Sequence, residues 1–315
     1  MYVIVLKQLI IMSLIAVLGF AVTKAFKFGK TEQSFVSRLL LYVINPCMIL
    51  HTFNVPYSEQ RFHELLVVIL ISLAAHVSLT LLALLFFHSR TQEEKKLDAI
   101  DKLSVVFTNC AFIGIPLING VFGPSGTFYL MGYVAVFNIF LWTIGYYMAV
   151  GKMRPLKVIT NPNVLAVFAG IIIFCIPKEL PEIADAPLKF VGDMNTATSM
   201  LLLGMLFATF RKPETSMRTY IMRVAKVSAL RLVLSAVIMF FIAWGAVHVF
   251  SGMQNIRLMS YVVFIAALCP VGMSVSSFAV VFGADESYSS MIVSITSVLC
   301  LLTLPMSVAV AEKFF

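Results

Sequence analysis

Apolar positions come in long blocks divided by short polar connections. A helix needs roughly 20 residues to cross a hydrocarbon core. Ten blocks meet that length or approach it: about 3–23, 34–53, 64–87, 100–121, 127–150, 163–177, 187–210, 219–249, 257–282 and 287–311. The sixth is short because Pro177 stops it, and the eighth begins at the interface, where Arg223 and Lys226 sit. No connection is long enough to hold a sizeable soluble domain. The pattern predicts an all-α polytopic membrane protein.

The cations test this reading, because positive charge collects in loops on the cytoplasmic side. With the N-terminus outside, the loops near 24–38, 88–102, 151–162 and 211–226 hold sixteen of the 23 Lys and Arg residues. The opposite side holds five: Arg61, Lys178, Lys189, Arg257 and Lys313. Lys7 and Arg231 fall within spans. The asymmetry favours ten helices with both termini outside, in a plasma or inner membrane. The first block carries Lys7 and runs into Lys24, Lys27 and Lys30 without a convincing small-residue cleavage site, so it reads as a retained span.

Composition agrees. Hydrophobic residues make up 60% of the 315, charged residues 12%, and mean hydropathy is +0.97. The net charge of +8 reflects topology signals, and no nucleic-acid partner is expected. Cys47, Cys110, Cys175, Cys269 and Cys300 form no C-x-x-C pair and read as small packing residues. No metal and no cofactor is expected.

The two halves resemble each other. Val121-Phe122-Gly123 closes the fourth block and Val281-Phe282-Gly283 the ninth, half a chain apart. Asn45 in the second block has a counterpart in Asn195 of the seventh. The fourth carries Asn109, Gly114 and Pro116; the ninth carries Pro270, Gly272, Ser274, Ser276 and Ser277. Five helices is an odd number, so the second set enters the membrane from the opposite side. The division expected is 1–150 for one five-helix repeat, 151–162 for a short cytoplasmic linker and 163–315 for the inverted repeat. Proline removes a backbone donor, and in lipid the freed carbonyls need another partner. Matched prolines predict paired broken helices, interrupted near Gly114–Pro116 and Pro270–Gly272, that meet at mid-membrane. Half-helix N-termini there would favour an anion.

The motifs resemble those of the auxin efflux carrier family. Asn109-Cys-Ala-Phe-Ile-Gly114-Ile-Pro116 is similar to the family's N-T-x-x-x-G-I-P in the fourth helix. Cys269-Pro270-Val271-Gly272 resembles its L-P-x-G, and Asn161-Pro162-Asn163 its N-P-N. Gly192-Asp193 with Met200–Gly204 resembles the seventh-helix signature; Pro46, His51 and Leu304-Pro305 fit the second and tenth. The large hydrophilic centre of the long plant carriers is absent. The resemblance implies a fold like that of sodium/proton antiporters and bile-acid symporters. Helices 1, 2, 6 and 7 would form a scaffold, through which two copies of the chain are able to pair, and helices 3–5 and 8–10 a transport unit in which broken helices 4 and 9 cross. It implies a small organic anion as substrate, with malonate and malate among the candidates.

Candidate substrate-binding residues are therefore Asn109, Gly114, Pro116, Pro270, Gly272, Ser274, Asn45 and Asn195. Asn109 is either a substrate donor or a structural amide capping broken backbone; Asn138 reads as a helix–helix bond. Asp193 and His76 are the proton-coupling candidates, with structural roles as the alternative, and Arg231 stays open. The leading function is a secondary carrier working by alternating access. A passive facilitator of the same fold is the alternative. No enzyme signature such as H-E-x-x-H or G-x-S-x-G occurs, and no soluble output domain marks a sensor.

Overall fold

The structure, a computed structural model, describes residues 1–89, 92–151, 160–176, 178–209, 217–281 and 284–315. Among the described residues it is helical, with one isolated antiparallel bridge and no sheet. The helices are α1 (Tyr2–Phe26), α2 (Lys30–Leu39), α3 (Asn45–Phe53), α4 (Glu59–Phe86), α5 (Gln92–Val106), α6 (Ile115–Phe140), α7 (Tyr146–Val150) and α8 (Pro162–Cys175). There follow α9 (Glu182–Asp193), α10 (Asn195–Thr209), α11 (Met217–Ala229), α12 (Ser235–Val249), α13 (Ile256–Leu268), α14 (Met273–Val281) and α15 (Glu286–Ala311). Wider π-helical turns at Leu40–Ile44, Leu141–Gly145 and Leu230–Leu234 carry one helix into the next, and another at Cys110–Gly114 precedes α6. Most of the expected linker, residues 152–159, lies outside the described residues.

Local chemistry sets several boundaries. Asn161 caps α8 by accepting from the N–H groups of Asn163 and Val164, with Pro162 in the first turn, where its missing donor costs nothing. That is the physical content of the N-P-N motif. Ser58 caps α4 and Asp285 caps α15 in the same way.

Seven helices among the described residues are long and apolar enough to cross a membrane: Tyr2–Phe26, Lys30–Phe53, Glu59–Phe86, Cys110–Ala149, Glu182–Thr209, Thr219–Val249 and Ser287–Ala311. Pro162–Cys175 and Ile256–Leu268 are apolar but shorter. The segmentation differs from ten uniform spans because the chain breaks and joins where periodicity is silent. The apolar blocks near 100–121 and 257–282 each contain an interruption. The blocks near 100–121 and 127–150 share one helical run of 40 residues, Cys110–Ala149, which leaves helical geometry at Gly123 (φ 65°, ψ −157°). Gly123 alone tolerates that φ, and Pro124 then restarts the helix.

Large apolar side chains face outward along most long helices, among them Leu14, Leu85, Val233 and Leu302. The centre holds α13, buried on every side from Met259 to Leu268, as expected of a short helix enclosed by others. The packing divides into two sets. In one, α1 lies on α10, and α3 on α8 and α9; in the other, α4, α6 and α13 pack together, with α5, α11, α12 and α15 around them.

The α1–α10 contact is backbone against backbone. A Cβ on Gly204 would meet the Ala16 carbonyl oxygen at 1.9 Å, and one on Gly19 the Leu201 oxygen at 2.4 Å. In lipid, close approach of small residues is what drives helices together. Gly204→Val is expected to remove the folded, monodisperse species, and Gly245→Ala, whose Cβ meets nothing within 4 Å, to leave thermal stability equal or slightly raised. Size-exclusion chromatography and a thermal melt of the detergent-solubilised variants check both.

Candidate functional site

The two central interruptions lie against each other. α5 ends at Val106 and α13 at Leu268, and the residues that follow are extended. Thr108 and Val271 form the isolated antiparallel bridge. The Asn109 N–H donates to the Pro270 carbonyl at 2.8 Å, and the Gly272 N–H to the Phe107 carbonyl at 2.9 Å. Each break thus satisfies backbone groups of the other, which is what irregular backbone inside an apolar protein requires. Gly272 is needed there, because a Cβ would stand 2.7 Å from the Thr108 carbonyl oxygen.

The first interruption lies at Phe107–Asn109, seven residues before the Gly114–Pro116 position expected from the proline. Pro116 is the seventh residue of the helical run that begins at Cys110, directly after the π turn Cys110–Gly114. Gly114 belongs to the π turn, its Cα facing Cys269 of the other break. The Asn109 carbonyl accepts from Ile113 and Gly114 to start that turn. The helix therefore restarts at Asn109, and the proline follows within it.

Both first half-helices point their C-terminal, negative ends at this place. Arg231 meets them. It is fully buried in the π turn after α11. Its Nη1 donates to the Val105 carbonyl at 3.0 Å; Nε and Nη2 donate to the Cys269 carbonyl at 3.2 and 2.9 Å, and Nη2 also to Ala267. One planar guanidinium thereby caps α5 and α13 together. The sequence left this residue open because nothing local says which helix ends it reaches.

On the other side of the break, the N-terminal ends of the following helices carry Asn109 and Ser274. Asn109 is 2% exposed and Ser274 half-buried, and the Asn109 Nδ2 and the Ser274 Oγ have no hydrogen-bond partner among the described residues. A cavity of about 240 Å³ is lined by Pro270 of the second break and by Ile113, in the π turn just beyond the first. It is otherwise walled by α1, α10 and α15 through Leu9, Phe20, Met200, Phe207 and Leu301, with Ser13 and Ser297 as its hydroxyls.

The other candidates are dispersed. Asn195 donates to Asn45 at 2.6 Å, both buried, so the two amides tie α10 to α3. Asn138 returns its amide to the Val134 carbonyl of its own helix. Asp193 is 62% exposed at the end of α9 and paired with Lys189 at 2.6 Å. His76 is buried, its Nδ1 on the Ser72 carbonyl at 2.8 Å and its ring 4.9 Å from that of Tyr133. Among the described residues the buried carboxylates are instead Glu64, Asp98 and Asp101. Sequence reading missed them because each lies near the end of an apolar block, where charge looks interfacial. The signal available was spacing: the interval from Glu64 to Arg223 equals that from Tyr129 to Tyr288.

The likeness to auxin efflux carriers is supported by a family match. The model described as membrane transport protein matches residues 4–151 and 147–308. No curated protein matches the chain.

Removing Arg231 leaves the carbonyls of Val105, Ala267 and Cys269 without their donor, at about 1–3 kcal/mol for each buried group left unpaired. Arg231→Met is therefore expected to lower thermal stability markedly. Arg231→Lys should rescue only part of it, because an ammonium lacks the planar fork that spans both helix ends. Melting curves of the purified variants are the check.

Proposed function

The chain belongs to the membrane transport protein family and is an integral, multi-pass membrane protein; from that premise we propose that it is a secondary carrier moving a small organic anion by alternating access. The substrate site is at the crossing of the two interrupted helices, at Thr108–Asn109, Pro270–Gly272 and Ser274. The observation that carries this is the division of charge there. Arg231 occupies the negative ends of α5 and α13, so the N-terminal ends of the next helices, with the unpartnered Asn109 amide, are left to face a carboxylate. The cavity at Ile113 and Pro270 provides the approach.

The reading includes ten crossings as two inverted repeats of five helices. The bend at Gly123 divides the run Cys110–Ala149: residues 124–149 are about 39 Å long at helical rise, enough for one crossing, and residues 110–122, about 20 Å, complete a crossing begun by α5. The amino group of Met1 pairs with Glu312, and the Tyr2 N–H donates to the same side chain at 3.0 Å. Ends that meet imply an even number of crossings. The distribution of cations puts both ends outside, in a plasma or inner membrane. The set of α1–α3 and α8–α10 serves as scaffold, and the set around α13 as the moving unit.

Asn109 supplies two N–H groups without net charge, so it can orient a carboxylate and still release it. Losing one bond to a charged ligand costs about 1.5–3 kcal/mol, roughly ten- to hundred-fold in affinity. In a panel of malonate, malate and indole-3-acetate tested on the purified chain, at least one is expected to bind. Asn109→Ala should weaken that ligand ten- to hundred-fold with an unchanged melt, whereas Asn138→Ala should lower the melt and spare affinity. Unchanged affinity in Asn109→Ala refutes the site.

A further inference from the structure

We propose that Asp98 and Asp101, under Arg223, form a proton-binding site that holds one exchangeable proton. The two carboxylates stand three residues apart on one face of α5 and are 3% and 0% exposed. A single nitrogen serves both: the Arg223 Nη1 is 2.9 Å from the Asp98 Oδ1 and 2.6 Å from the Asp101 Oδ2. Their remaining oxygens accept from the Ser89 N–H at 2.6 Å and the Tyr288 hydroxyl at 2.5 Å.

The groups facing this pair come from two helices, besides Ser89 ahead of α5. α11 contributes Arg223 and Tyr220; α15 contributes Tyr288 and its cap Asp285, which accepts from the Tyr220 hydroxyl at 2.6 Å. Lys226, one turn beyond Arg223, is turned away to the Phe86 carbonyl and the Phe87 ring. Among the described residues, one guanidinium therefore faces two enclosed carboxylates, leaving one negative charge in excess. An excess charge away from water is costly, and two acids sharing one cation ionise in separate steps. A proton taken from water onto one carboxylate brings the three groups to neutrality, and its return to water restores the excess. Arg223 is partly exposed, so the proton has a route.

The repeat-related position shows what differs. There the Tyr129 hydroxyl donates to Glu64 at 2.5 Å, joined by Asn255 and Gln60 at 2.9 and 3.0 Å. One carboxylate is met by three neutral donors, with no second acid. The inner cluster adds both a second carboxylate and a cation.

The position connects the proton to the crossing. α11 holds the base of α5 through Arg223, and eight residues on, about 12 Å along the helix, Arg231 holds its tip through the Val105 carbonyl. Neutralising Asp101 loosens the base of the helix whose tip leads into Thr108 and Asn109. That the proton is the coupling ion of transport rests on the carrier reading; the site itself does not.

Proton uptake by the purified, substrate-free full chain, measured on acidification from about pH 9 to pH 5, above the range of ordinary carboxylates, separates the two. The wild type is expected to bind one proton more than either Asp98→Asn or Asp101→Asn, and the same number as Asp193→Asn. Either variant folded and binding as many protons as the wild type overturns the proposal. Failure of both variants to fold overturns it too, because each is charge-balanced against Arg223 and should be tolerated. Loss of anion binding in the panel above, with the proton difference intact, would remove the carrier reading and leave this site standing.

Discussion

The arrangement depends on how the chain satisfies backbone at the places where two helices stop inside an apolar interior. Each C-terminal end brings carbonyls without intrahelical donors and the negative end of a helix dipole. Two such ends converging are mutually repulsive. Arg231 resolves both problems with one group, since its fork donates to Val105, Ala267 and Cys269. The rest of the break is neutralised by the reciprocal bonds of Asn109 with Pro270 and of Gly272 with Phe107. A fully buried cation is tolerated because every partner is an oriented carbonyl.

The surrounding helices serve that centre. The tight α1–α10 contact, set by Gly19 and Gly204, and the Asn45–Asn195 bond hold one set of helices. The Glu64 and Asp101 clusters hold the bases of α13 and α5 at the opposite ends of the other. The interrupted helices are thus fixed at base and tip, while the cavity lies at the boundary between the two sets.

Much of this was legible in the sequence. Long apolar blocks gave the membrane class, because their length is dictated by lipid. The Asn109-to-Pro116 segment and Cys269–Gly272 pointed to the two breaks, because their prolines and glycines fall at matched places in the two halves. The register of the first break was not legible: the chain leaves helical geometry at Phe107–Asn109, and Pro116 falls inside the run that restarts at Cys110. Arg231 was seen but not understood, since its partners come from helices far away in sequence. Asp193 looked like the intramembrane acid because α9 reads as part of an apolar block, yet its side chain is exposed beside Lys189. Asp98 and Asp101 looked interfacial, and only the approach of Arg223 and Tyr288 encloses them.

The central claim is that the two breaks pair through their backbones and that Arg231 holds them so. Opposed residues of an antiparallel bridge are about 4.5–5.5 Å apart at Cα, within disulfide reach. In a chain with its native cysteines replaced, Thr108→Cys with Val271→Cys tests this by oxidative cross-linking read by peptide mass spectrometry. A near-complete intramolecular link is expected, and it should fall sharply when Arg231→Met is added. No link between these positions, or a link indifferent to Arg231, would contradict it.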